Sequence, residues 1–144
     1  MRKNFGFTLL ELLVVLIILT IALAIIMPRL GNNDQRILKS YTQRILSLLK
    51  FARYQAIFTN KEVEVVLDNN KFLIPQLKKK LSISQDLKVR LSISSSGQTI
   101  YFFPSGTSIP FGICLQKNNS FRYITFNSAN STFTIQDECP FQTK

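Results

Sequence analysis

The sequence has no histidine and no tryptophan, and only two cysteines in 144 residues. Zinc sites and His-based acid–base catalysis are thereby all but excluded, and no cofactor or metal is expected. Acids are few as well: eight Asp and Glu stand against eighteen Lys and Arg, a formal net charge of +10. That balance suits anionic partners such as phospholipid headgroups, nucleic acid or acidic protein faces. Its plain alternative is a soluble domain kept from self-association by excess charge. Low-complexity tracts and repeats are absent.

What the chain does have is one long apolar run, Gly6 to Pro28. A helix crossing ~30 Å of hydrocarbon needs about 20 predominantly apolar residues, and Phe7–Met27 is 21 residues long. About 115 residues remain outside the run, enough for one compact core. Arg2 and Lys3 precede it and favour a cytoplasmic N-terminus with an exported C-terminal domain. Arg29 and Arg36, just beyond the run, weaken that bias. A single acid, Glu11, sits inside, at a cost of about a few kcal/mol at mid-bilayer.

Three readings of this segment compete. A secretory signal peptide fits the basic start and Ala22-Leu23-Ala24, but not the length or Glu11. A plain membrane anchor explains the length and leaves Glu11 unexplained. Cleavage between Gly6 and Phe7 accounts for the acid. Phe7 then bears a new α-amino group, with Glu11 one helical turn on. In an assembly of parallel helices, Glu11 of one subunit meets the Phe7 amine of its neighbour, and each buried charge neutralises the other.

A short basic leader ending in Gly6, then Phe7-Thr8-Leu9-Leu10-Glu11 and a long apolar helix, resembles the N-terminus of type IV pilins and pseudopilins. The resemblance implies cleavage after Gly6 by a prepilin peptidase and N-methylation of Phe7. It also implies storage in the inner membrane and packing of the helix into a filament core, with Glu11 setting assembly.

Beyond the run, Pro28 breaks or kinks the helix, and Gly31-Asn32-Asn33 is a further weak point. Ile37, Tyr41, Ile45, Leu48, Ala52 and Ala56 then recur at spacings of three and four, an amphipathic helix of about six turns. The simplest arrangement is one helix from Phe7 to Phe58, about 80 Å at ~1.5 Å per residue; the alternative is two helices parted at Pro28–Asn33. From Lys61 the period changes to two. Strands are expected at Val63–Leu67, Lys71–Ile74, Lys88–Ile93 and Gln98–Phe103, then near Gly112–Gln116, Phe121–Phe126 and Thr132–Gln136. Asp68-Asn69-Asn70 and Ser94–Gly97 are turns, and Pro75–Asp86 is a loop. The fold class is α+β: a long N-terminal helix on an antiparallel sheet, pilin-like. The expected segments are a leader over 1–6, a transmembrane helix over 7–28, an amphipathic helix over 29–60 and a β-rich head over 61–144.

The head carries a second resemblance. Ala52-Arg53-Tyr54-Gln55-Ala56-Ile57 leading into Val63–Leu67, and Ile100–Phe103 before Pro104-Ser105-Gly106, are similar to segments of minor pseudopilins of the H type, a group related to fimbrial-type minor pilins. In an exported domain, Cys114 and Cys139 are expected to be oxidised to each other; two buried thiols are the alternative. The H-type pseudopilins frequently lack such a bond.

Other candidates are modest. Lys78-Lys79-Lys80 is a solvated loop or an anion contact. Lys117, Arg122 and Lys144, with Phe121 and Tyr123 interleaved, suit phosphate contacts and base stacking, or are an ordinary strand face. Arg53 is expected to pair with Glu62 or Glu64. Asn118-Asn119-Ser120 and Asn130-Ser131-Thr132 match glycosylation sequons but read as turns. No catalytic grouping is visible, so a non-enzyme is expected. The resemblances imply a minor pseudopilin of type II secretion, single-pass in the bacterial inner membrane with a periplasmic head. Its implied partners are major and minor pseudopilins, the prepilin peptidase and the inner-membrane assembly platform. A minor type IV pilin binding DNA during uptake is the alternative.

Overall fold

A computed structural model describes residues 8–26, 33–93 and 97–140, with residues 25 and 26 as backbone only. The expectations for Gly6 and Phe7, the break between Pro28 and Asn32, helix continuity from Phe7 to Phe58, the turn at Ser94–Ser96 and the role of Lys144 all lie outside the described residues. The chain divides into two units, Met1–Asn33 and Asp34–Lys144.

In the first unit, helix α1 spans Leu9–Ile26. Thr8 starts it: its hydroxyl accepts from the Glu11 amide at 3.3 Å, and its carbonyl accepts from the Glu11 and Leu12 amides at 3.0 and 3.3 Å. Thr8-Leu9-Leu10-Glu11 thus has the S/T-x-x-E spacing of a capping box, and Glu11 lies in the first turn, where the helix dipole favours a carboxylate. The large apolar residues from Leu9 to Leu23 are exposed on every side of the helix. Among the described residues no helix is long and apolar enough to cross a membrane.

The second unit is an α+β head. Helix α2 (Asn33–Thr59) is followed by strands β1 (Val63–Asp68), β2 (Lys71–Ile74), β3 (Lys79–Ser82), β4 (Lys88–Ile93), β5 (Thr99–Phe102), β6 (Phe111–Lys117), β7 (Ser120–Asn127) and β8 (Thr132–Gln136). The helix stops where Asn60 turns left-handed, φ 53°, a conformation Asn tolerates at a helix end. Asn69 and Asn70, φ 44° and 60°, close the β1–β2 hairpin.

The strands form two four-stranded antiparallel sheets rather than one. The first has the order β3-β2-β1-β5 and the second β4-β6-β7-β8. Pro75–Asp86 is not a loop throughout. Pro75–Leu77 is a 3-10 turn, and Lys78, left-handed at φ 50°, reverses the chain so that β3 pairs with β2. Helix α2 buries Leu38, Thr42, Ile45, Leu46, Leu49, Ala52 and Ala56. The expected stripe is thus turned on the helix surface, since Ile37, Tyr41 and Leu48 are only half-buried. Buried Thr42 donates its hydroxyl to the Leu38 carbonyl at 2.7 Å, which removes the cost of a polar group in the core.

Phe102 of the first sheet meets Phe111, Phe126 and Phe133 of the second, with ring centroids 5.9–6.4 Å apart. Phe111 and Phe126 stack at 5.6 Å. These rings, with Val65, Phe72, Ile74, Ile100, Ile113, Leu115 and Ile124, make one core shared by both sheets and α2.

Candidate functional site

At the N-terminal end, Glu11 belongs to the exposed first turn of α1, capped by Thr8. The Thr8 cap is a feature the sequence reading missed, although Thr8-x-x-Glu11 was there to be found.

In the head, Arg53 departs from expectation. Its guanidinium makes no ion pair with Glu62 or Glu64. Nε donates to the Gly106 carbonyl at 2.8 Å and Nη1 donates to the Ser131 carbonyl at 2.9 Å. The side chain leaves α2 toward the β5–β6 connection and the β7–β8 turn, so it ties the helix to both sheets. Gly106 makes this possible. Its φ is +77°, and a Cβ there would stand 2.9 Å from Ile57 Cδ1 and 3.4 Å from Arg53 Nε. Glycine alone adopts that backbone while leaving the guanidinium its place. Charged donors on backbone carbonyls are each worth about 1.5–3 kcal/mol.

The basic residues split into two groups. Lys117 Nζ lies 3.6 Å from Asp34, which also accepts from Asn118 Nδ2 at 2.6 Å. Arg122 Nε lies 3.0 Å from Asp137. Strand alternation puts Arg122 on the same face of β7 as buried Ile124 and Phe126, and Phe121 and Tyr123 on the other. A phosphate on Arg122 and a base on those aromatics therefore lie on opposite faces. The lysine run is arranged differently. Lys79 Nζ sits 3.8 Å from the centre of the Phe51 ring, a cation–π contact. Lys80 is exposed opposite Leu73, and Lys78 is the left-handed residue of the turn.

Cys114 and Cys139 form a disulfide, with Cα atoms 5.9 Å apart. Cys139 also approaches the Arg122 carbonyl at 3.8 Å, so the tail crosses β7 to reach β6. On that same face Tyr123 lies over Gly112, where any Cβ would collide with the phenol ring. Among the described residues no three His, Cys, Asp or Glu side chains are grouped to hold a metal.

Residues 1–27 match the prokaryotic N-terminal methylation motif. Residues 41–134 match the family described as type II transport protein GspH. No curated protein sequence matches the chain. Its fold is similar to that of EpsH, a minor pseudopilin of the type 2 secretion system of Vibrio cholerae. That likeness has a TM-score of 0.58 and 14% identity, and covers 69% of this chain and 95% of that one. It is also similar to the type IV minor pilin FimU of Pseudomonas aeruginosa in two crystal forms. These give TM-scores of 0.57 and 0.58 at 14% and 16% identity, covering 68% and 74% of this chain and 91% of FimU in each. With more than half of its length matched, the chain belongs to the type II transport protein GspH family, in the type IV pilin superfamily.

Proposed function

We propose that this chain is a minor pseudopilin of a bacterial type II secretion system, a subunit that assembles into a periplasmic pseudopilus to drive export of folded proteins. The observation that carries this is the union, in one chain, of the methylation motif over 1–27 and the GspH family match over 41–134. In this reading residues 1–6 are a leader removed by a prepilin peptidase, and Phe7 becomes the methylated N-terminus. Residues 7–28 anchor the subunit in the inner membrane. The apolar run extends past the 18-residue α1 at both ends, to Phe7 and Met27, which brings it to spanning length. Residues 29–60 lead into the head, and 61–144 form its β-rich part in the periplasm. Other pseudopilins and the inner-membrane assembly platform are the partners. The role is structural, with no reaction to catalyse.

Glu11 then has two duties in sequence. Beside the Thr8 cap it favours the start of its own helix. In the filament it answers the α-amino group of a neighbouring Phe7, an ammonium that hydrocarbon would otherwise leave without counter-charge. The test is Glu11→Ala, followed by cleavage, membrane fractionation and filament assembly. The expected result is normal cleavage and insertion with assembly lost. Normal incorporation into filaments refutes the pairing. Thr8→Ala separates the two duties: it weakens the cap by about 1 kcal/mol and leaves the pairing carboxylate in place.

A second reading, a minor type IV pilin engaged in DNA uptake, draws on the likeness to FimU. The ion pairs at Lys117 and Arg122 speak against it, since both cations already face acids.

A further inference from the structure

The lysine run and α2 meet in a groove to which the filament reading gives no task. Arg44 of α2 and Lys79 and Lys80 of β3 surround a recess of about 250 Å³, floored by Leu48, Phe51 and Leu81. Arg44, Leu48 and Phe51 are four and three residues apart and so share one side of the helix. The turn at Lys78 folds β3 back beside β2, which brings Lys79 over the Phe51 ring at 3.8 Å. No acid lines the recess. Both ion pairs found among the described residues of the head, Lys117–Asp34 and Arg122–Asp137, lie elsewhere. Two exposed cations, Arg44 stacked on Tyr41 and Lys79 over Phe51, therefore flank an apolar floor. Lys80, next in β3 and paired with Leu73, contributes its backbone while its side chain leaves on the other face of the sheet.

We infer that this groove binds an acidic segment of a partner protein that also presents an apolar side chain. Its carboxylates meet Arg44 and Lys79 at the rim, and its apolar side chain rests on Leu48, Phe51 and Leu81. Two features select this occupant. A second copy of the same face is disfavoured by charge, because cations would oppose cations in chains of net charge +10. A phospholipid headgroup satisfies the cations from a flat surface and leaves the apolar floor uncovered, whereas a peptide side chain fills it. The inference rests on the geometry of the groove and holds whether or not the chain serves in secretion.

The test uses the full-length protein in nanodiscs of neutral phosphatidylcholine. The probe is a fluorescent peptide alternating glutamate with leucine and phenylalanine, followed by polarisation. Saturable binding is expected, weakened about fivefold by Arg44→Gln combined with Lys79→Gln, two exposed ionic contacts of modest strength each. Lys78→Gly is the control outside the groove: it removes one charge where the double variant removes two, and suits the left-handed backbone, so binding is expected to persist. Replacing the peptide's glutamates by glutamine, or its apolar residues by serine, should each reduce binding. Equal binding to the wild type and the Arg44/Lys79 variant overturns the inference. So does a loss with Lys78→Gly as large as with that variant, which would mark a diffuse charge effect. If no peptide binds while Lys79 is shielded from amine-modifying reagents only in phosphatidylglycerol nanodiscs, the groove serves lipid and the inference fails.

Discussion

At Gly112 the chain of β6 carries no side chain, and the ring of Tyr123 occupies the space. Burial pushes the Tyr123 phenol above its ordinary pKa of 10.0, because a phenolate there loses hydration. Below pH 10 the folded and unfolded chains both keep the proton, and the contribution to stability is complete. As pH rises past that value the unfolded chain ionises first, so stability falls until the folded phenol ionises too. The urea midpoint is therefore expected to drop above pH 10, and to drop less in Tyr123→Phe; superimposable alkaline profiles would refute this. Arg53 teaches a different lesson at the same scale. Its place in a helix-to-strand junction was legible, but its partners were not. They lie 53 and 78 positions away, and no local pattern announces a guanidinium that reaches two backbone carbonyls.

Among elements, strands were read well where apolar residues alternate between tight Asn turns, as in β1, β2 and the β6–β8 meander. Strand β3 escaped because Lys79-Lys80-Leu81-Ser82 has no such pattern; the left-handed Lys78, not hydrophobic alternation, makes it pair. The buried face of α2 was misjudged for a related reason. Leu46, Leu48 and Leu49 are apolar on neighbouring sides, so periodicity alone leaves the facing open until two sheets are there to choose it. The disulfide was legible from compartment chemistry. It closes a separation of 25 residues between β6 and the segment after β8. Reduction is expected to lower the stability of the head by roughly 3 kcal/mol in the chain-entropy model. Urea unfolding with and without reductant checks this, and coincident curves would show that the meander holds without the bond.

For the whole molecule, the most informative segment is the N-terminal run, whose pattern alone pointed to the superfamily in which the chain stands. The division of eight strands into two sheets was not legible, because alternation shows which residues face a core and says nothing about which strands share a sheet. Charge was legible in amount and not in use. Of the +10, the cations suspected of contacting DNA at Lys117 and Arg122 are engaged with acids. In gel shifts the full-length chain in neutral detergent should therefore show weak, salt-sensitive retention that Lys117→Glu with Arg122→Glu reduces no more than Lys39→Glu with Lys50→Glu. Tight binding abolished by the first pair alone would favour DNA uptake over secretion. The disulfide also has a consequence for load. Tension applied to the chain beyond Cys139 passes through the sulfur bridge to Cys114, the middle residue of β6, a strand flanked by β4 and β7. Strands β7 and β8 lie inside the covalent loop and carry none of it. Stretched to rupture, the oxidised head should lengthen by about 80 Å less than the reduced one, at ~3.4 Å for each step of the sequestered loop less the 5.9 Å that the bridged pair itself spans.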